Sequence, residues 1–191
     1  MRVVTKLGDV FSARISDTEK KYFQLIAFDL TCLNSDVIRA FAKIYTINEK
    51  PELSEIMRGK VQFYAHCVTK TGLKMGFWEK VGNSEEVGNT DTILFRETND
   101  LGRYPRQKII SEDWYIWKIN KPTINIGKLS SDYKNAEIGV VLNPENIIYR
   151  MRFGVYNMPY YPDFEWIWEL KKIGDLFSVD TSDIGKNYGN I

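Results

Sequence analysis

The sequence is short of the residues that carry most enzyme chemistry. One histidine and two cysteines occur in 191 residues, and no nucleophile stands at a recognisable spacing from a base. Metal-ligand spacings of the Cys/His type are missing as well. Cys32 and Cys67 lie far apart and belong to no disulfide-rich framework, so reduced thiols in a reducing compartment are expected, with a single structural disulfide as the alternative. No run approaches the ~20 apolar residues of a membrane span. The amino-terminal MRVVTK reaches charge before the ~7–15 apolar residues of a secretory signal could begin. A cytoplasmic protein without membrane contact is expected.

Excess charge of either sign is missing too. Twenty-six basic residues stand against 25 acidic ones, a formal net charge of +1, which removes any general pull toward nucleic acid or an anionic membrane. Arg103, Arg106 and Lys108 bracket Tyr104 in the basic-plus-aromatic manner of a phosphate-backbone contact, but three charges in a balanced chain carry little weight. Nucleic acid is not an expected partner.

What the chain has is apolar and aromatic mass: 43% hydrophobic and 14% aromatic residues. That is enough for one substantial core, burying about 70% of the unfolded surface. Phe11, Ala13 and Ile15 alternate with Ser12, Arg14 and Ser16, the period of a half-buried strand. After the polar turn Ser16 to Lys20, the run Tyr22 to Phe28 is apolar on both faces, as in a central strand. Residues Val37 to Tyr45 fit either a strand or a helix capped by Ser35. Pro51 in the first turn, with Ile56, Met57 and Gly59 after it, predicts a short helix. Val61, Phe63, Ala65 and Cys67 alternate with Gln62, Tyr64 and His66 as a strand with one polar face.

Gly72 to Asn83, GLKMGFWEKVGN, is punctuated by glycines around a Phe-Trp pair and reads as turn architecture. Thr92 to Phe95, Trp114 to Ile119 and Glu137 to Leu142 predict further strands, and Pro144 to Gly154 a helix with correct start and stop signals. Pro122, Gly127 and Ser130 with Ser131 mark loops, and Asn99 to Arg106 interrupts the apolar rhythm. The expected fold is α+β: a mainly antiparallel, strongly bent sheet or partly open small barrel with a few short helices. Region 1–98 forms the bent sheet, and a β-rich region 99–191 packs on the same core as one domain.

Candidate chemistry is sparse. His66 would share a polar strand face with Gln62 and Tyr64, and no carboxylate nearby in sequence could orient it as a base, so an ordinary surface or hydrogen-bonded histidine is expected. Cys67 points to the opposite face, into the core, which holds thiol and imidazole apart. Glu85, Glu86 and Asp91 lack the alternating oxygen spacing of a calcium loop; a solvated loop is the favoured reading, with contact to an Arg-rich partner surface as the alternative. Phe164, Trp166 and Trp168 would share a strand face; core filling is the favoured reading, with a stacked surface for a sugar or a protein partner as the alternative. Tyr156, Tyr160 and Tyr161, set around Pro159 and Pro162, are the aromatic residues least easily buried together, and so candidates for an exposed contact surface.

The order Gly8-Asp9-Val10-Phe11, then Tyr22 to Asp29, then Gly76-Phe77-Trp78-Glu79-Lys80-Val81-Gly82-Asn83 resembles the immunity protein 26 family of bacterial polymorphic-toxin systems, over the first half of the chain. In that family a leading Gly-Asp-Val-Phe strand feeds a bent sheet that a later Gly-x-Trp-x-x-x-Gly element closes. The resemblance implies a cytoplasmic antidote that binds a cognate toxin and turns nothing over, with no cofactor. Exposure arguments nominate Tyr156, Tyr160 and Tyr161 as its anchors and Glu85, Glu86 and Asp91 as rim charges. The alternative is a ligand-binding module whose aromatic-lined cleft takes a carbohydrate or a nucleotide.

Overall fold

A computed structural model describes residues 3–99 and 111–156. In chain order these form β1 (Asp9–Arg14), β2 (Glu19–Asp29), β3 (Ser35–Phe41), β4 (Tyr45–Thr46), α1 (Leu53–Met57), β5 (Val61–Cys67), α2 (Thr69–Met75) and β6 (Trp78–Asn83). Then follow β7 (Leu94–Thr98), β8 (Trp114–Lys118), β9 (Ile124–Gly127), β10 (Glu137–Ile138), β11 (Val141–Leu142) and α3 (Pro144–Phe153). Seven strands make one sheet in the order β11-β5-β3-β2-β1-β6, with β4 added beside β2. Four make a second, β10-β7-β8-β9. The protein is thus α+β and rich in antiparallel pairs, as expected. Neither sheet closes into a barrel: β11 and β6 end the large sheet on opposite sides.

β1 and β2 form the expected hairpin, Phe11 opposite Phe23 with their rings stacked at 4.9 Å. The ambiguous stretch after Ser35 is a strand, paired on both sides by β2 and β5. Register shifts at Val10/Phe11, Leu25/Ala27 and Ala40/Phe41 are β-bulges, which bend and twist the strands that carry them.

Two covers explain why strands that read as half-buried are buried on both faces. Phe11, Ala13, Phe23, Leu25, Ile38, Phe63 and Ala65 meet Trp78, Trp114, Ile147 and Met151 on one face. On the other, α1 brings Ile56 and Met57 against Val10, Tyr22, Phe41 and Tyr45. The small sheet sets Phe95 and Trp117 against Ile26 and Val37. Burying each such ring or aliphatic chain is worth roughly 1.5–3 kcal/mol. β8 sends Trp114 to the first cluster and Trp117 to the third, as strand alternation requires.

Three local expectations are corrected. Pro51 lies before the helix, whose cap is Glu52. The glycine-rich stretch begins inside α2, a helix masked by its own Gly72. No Cβ fits at that position, because the Trp78 indole lies against it and donates to Thr69 O at 2.9 Å. Asp36 on β3 accepts the free Thr69 amide at the start of this helix, a service its own cap residue does not provide. Finally, Glu137 to Leu142 is two strands in different sheets. Ile138 runs parallel to β7 beside Arg96, and Leu142 runs parallel to β5 beside Cys67. Between them Gly139 passes so close to the Trp117 ring that a Cβ there would collide with it.

Candidate functional site

The connection from β6 to β7 is exposed, and its backbone is held from inside the large sheet. Gln24 on β2 and Arg39 on β3 are cross-strand partners, and both are buried. Arg39 Nε donates to Gln24 Oε1 at 2.9 Å, while Gln24 Nε2 donates to Ser84 O at 2.8 Å and to Gly8 O at 3.2 Å. Arg39 Nη2 reaches Glu86 O at 2.6 Å and Met57 Sδ at 3.7 Å. Ser84 N completes the tie by donating to Gly8 O at 3.0 Å. Burial pushes the Arg39 pKa below the usual guanidinium value, with Tyr64 and Glu86 acting the other way. Buried polar groups satisfied in this way stiffen what they hold.

The resulting ridge, Asn83 to Glu86, stands between two clefts. One, of about 550 Å³, is lined by Lys6, Leu7, Lys80, Asn83 and Glu85. The other, of about 330 Å³, is lined by Leu53, Met57, Arg58, Asn83, Ser84 and Glu86. Glu85, Glu86 and Asp91 are all exposed, Asp91 in a 3-10 turn whose amide bonds to Asn89 Oδ1. The three acids nominated from the sequence therefore share one surface loop.

Beneath the ridge, Asp9 joins β1 and β6, two of the three strands that carry the sequence resemblance. Its buried carboxylate accepts from Lys6 N at 2.9 Å, Asn83 Nδ2 at 2.9 Å and Lys80 Nζ at 2.6 Å. Burial alone would raise its pKa, and the bonds from Lys80, Asn83 and Lys6 outweigh that and leave it lowered.

His66 departs from expectation. It is 0% exposed, because the small sheet covers the strand face that looked polar, and Phe95 lies over its ring at 4.2 Å. The hydrogen bond it was expected to make is present, between Nδ1 and Ser35 Oγ at 2.9 Å. A carboxylate remote in sequence also arrives: Asp29 Oδ2 lies 3.7 Å from Nε2. Burial holds the His66 pKa down to about 4 against the pull of Asp29, so the ring is neutral and the approach is not an ion pair. Asp29 is occupied by other donors, the amides of Thr31, Cys32 and Asn120 and the Trp117 indole. Cys67 sits in the opposite core, its thiol pKa pushed up chiefly by burial. Thiol and imidazole are held apart, as strand alternation predicts.

Tyr156 is not an exposed anchor. At 3% exposure it packs edge-on to Phe63, and the Arg150 guanidinium lies over both rings, 4.2 Å from the Tyr156 centroid and 4.4 Å from that of Phe63. Arg150 reaches there from α3 and pairs with Glu137 at 2.9 Å. Tyr160, Tyr161, Phe164, Trp166, Trp168, Tyr104, Arg103, Arg106 and Lys108 lie outside the described residues. What the sequence reading missed is the Gln24 and Arg39 pair. Its signal was there: one polar residue interrupting each of two apolar runs, 22–28 in β2 and 37–41 in β3.

Among the described residues no three His, Cys, Asp or Glu side chains converge as a metal site, and no helix is long and apolar enough to cross a membrane. Compared with models of protein families, with curated proteins and with solved structures, the chain matches none.

Proposed function

We propose that this protein is an antidote of the immunity type, which binds a cognate bacterial toxin in the cytoplasm and blocks it without turnover. The observation that carries the reading is the exposed acidic loop on a backbone pinned by the buried Arg39 and Gln24 pair. A ridge already fixed before binding loses little conformational entropy when a partner docks. Its carboxylates complement a basic surface and speed encounter with it. The resemblance lends support from a second direction, since its three segments lie side by side: β1 pairs with β2 on one side and with β6 on the other, Asp9 opposite Asn83 and Ala13 opposite Trp78.

The test is co-expression with the polypeptide encoded beside it, read as growth rescue and as binding by calorimetry. A complex in the nanomolar class is expected. Charge reversal of Glu85, Glu86 and Asp91 to lysine should weaken it at least about tenfold, mainly through slower association. Absence of rescue and of binding would dispose of the antidote reading, and full affinity in the triple variant would move the interface elsewhere.

A further inference from the structure

A third cleft, of about 540 Å³, lies away from the acidic loop, between the turn that follows β2 and the face shared by β7 and β8. Thr31, Cys32 and Leu33 form one wall, and Glu97, Tyr115 and Trp117 the other. Both walls hang on one buried carboxylate. Asp29 Oδ1 accepts from Thr31 N at 3.2 Å and Cys32 N at 3.3 Å, and its Oδ2 accepts from Trp117 Nε1 at 3.2 Å. Asn120 locks the same corner, donating to Phe28 O at 2.9 Å and accepting from Leu30 N at 2.8 Å. The cleft is therefore built rather than accidental, with its shape set from the interior.

Its chemistry is one-sided. Glu97 stands directly across from Tyr115 in the ladder, so carboxyl and ring share a face. Among the described residues Glu97 has neither a hydrogen-bond donor nor a cation partner, and none of those lining the cleft is basic. Burial alone acts on its carboxyl and raises its pKa. A half-buried carboxyl without a partner costs stability, which an incoming donor would recover. Trp117 is 3% exposed, so the aromatic face the cleft offers is that of Tyr115, and neutral hydroxyls placed there would leave Glu97 without a cation.

We infer that this cleft receives an arginine side chain from a protein partner, its guanidinium forked onto Glu97 and laid against the Tyr115 ring. The planar fork matches a carboxylate in two parallel bonds, and the same plane stacks on an aromatic face, which an ammonium group cannot do as well. That the donor belongs to a partner rests on the antidote reading. The affinity of the cleft for a guanidinium does not.

The test uses agmatine, a small guanidinium compound, titrated into the isotope-labelled protein and followed by amide and indole resonances. Saturable shifts are expected at Thr31 to Leu33, Glu97, Tyr115 and the Trp117 indole, with a dissociation constant in about the millimolar range. Glu97→Gln should keep a dispersed spectrum and weaken binding at least about tenfold. Should that variant fail to fold, Glu97→Asp, which withdraws the carboxyl by one methylene, serves the same purpose. Shifts that are absent or scattered at tens of millimolar, an unchanged response in the Glu97 variant, or saturable binding of methyl glucoside in place of agmatine would each overturn the inference. Agmatine binding without any toxin binding upholds the cleft and removes the antidote reading. Toxin binding undiminished by Glu97→Gln removes the partner arginine and leaves the antidote reading intact.

Discussion

Arg39 Nε donates to Gln24 Oε1 at 2.9 Å from one buried strand to its neighbour, and through that bond the interior of the large sheet sets the position of an exposed loop. Each side chain passes the constraint outward, Gln24 to Ser84 O and Arg39 to Glu86 O. Removing either strands the other's buried polar atoms, at about 1–3 kcal/mol. Gln24→Leu and Arg39→Met should therefore each destabilise, and the double variant should lose less than the sum, with a coupling of roughly 0.5–3 kcal/mol. Urea unfolding of the four proteins measures it, and strict additivity would mean that the two residues act independently.

His66 makes stability depend on pH within a defined window. Its folded pKa of about 4 lies below the ordinary 6.5, so between these values the unfolded chain binds more protons. Stability is then full above about pH 6.5 and falls toward pH 4, by on the order of 3 kcal/mol if this group acts alone. Asp9, whose pKa is lowered, contributes in a separate window: its stabilisation is present above the ordinary 3.8 and lost in stronger acid. His66→Gln will change the absolute stability, but the informative quantity is the slope. Unfolding midpoints taken from pH 7 to pH 4.5 should be flatter in the variant than in the parent, and parallel curves would refute a neutral buried His66.

Gly139 and Gly76 should respond differently to alanine. At Gly139 the obstacle is the Trp117 ring, so Gly139→Ala must displace a core side chain and costs roughly 1–3 kcal/mol or more. At Gly76 nothing lies within 4 Å, and only its positive φ of 76° opposes the change, at about 1 kcal/mol. Thermal unfolding should rank Gly139→Ala below Gly76→Ala. Trp117 fluorescence should shift in the first variant and not in the second.

Tyr156 belongs to the core, so Tyr156→Ala should cost about 3–5 kcal/mol by removing a ring that packs on Phe63 and Arg150. Calorimetry would show a lowered transition, with partner affinity unchanged in the fraction that remains folded. A stable variant with impaired binding would return Tyr156 to the contact surface.

The sequence by itself determined the local elements. Alternation in Phe11 to Ile15, the apolar run Tyr22 to Phe28, the strands at Val61 to Cys67 and Trp114 to Lys118, and the Pro144 to Gly154 helix were all legible, because periodicity and capping act over a few residues. So was the exposure of Glu85, Glu86 and Asp91, acids with no apolar rhythm around them. Only the tertiary structure decided which faces were covered. Alternation says that Gln24, Arg39 and His66 share the character of one face, but not that α1 and the small sheet roof it over, turning two of them into an internal tie and the third into a neutral core residue. The same holds for Asp29, brought to His66 by the pairing of β2, β3 and β5, and for Gly139, where the chain crosses from one sheet to the other. These outcomes depend on contacts between residues dozens of positions apart, and burial is a property of the covering element as much as of the residue covered.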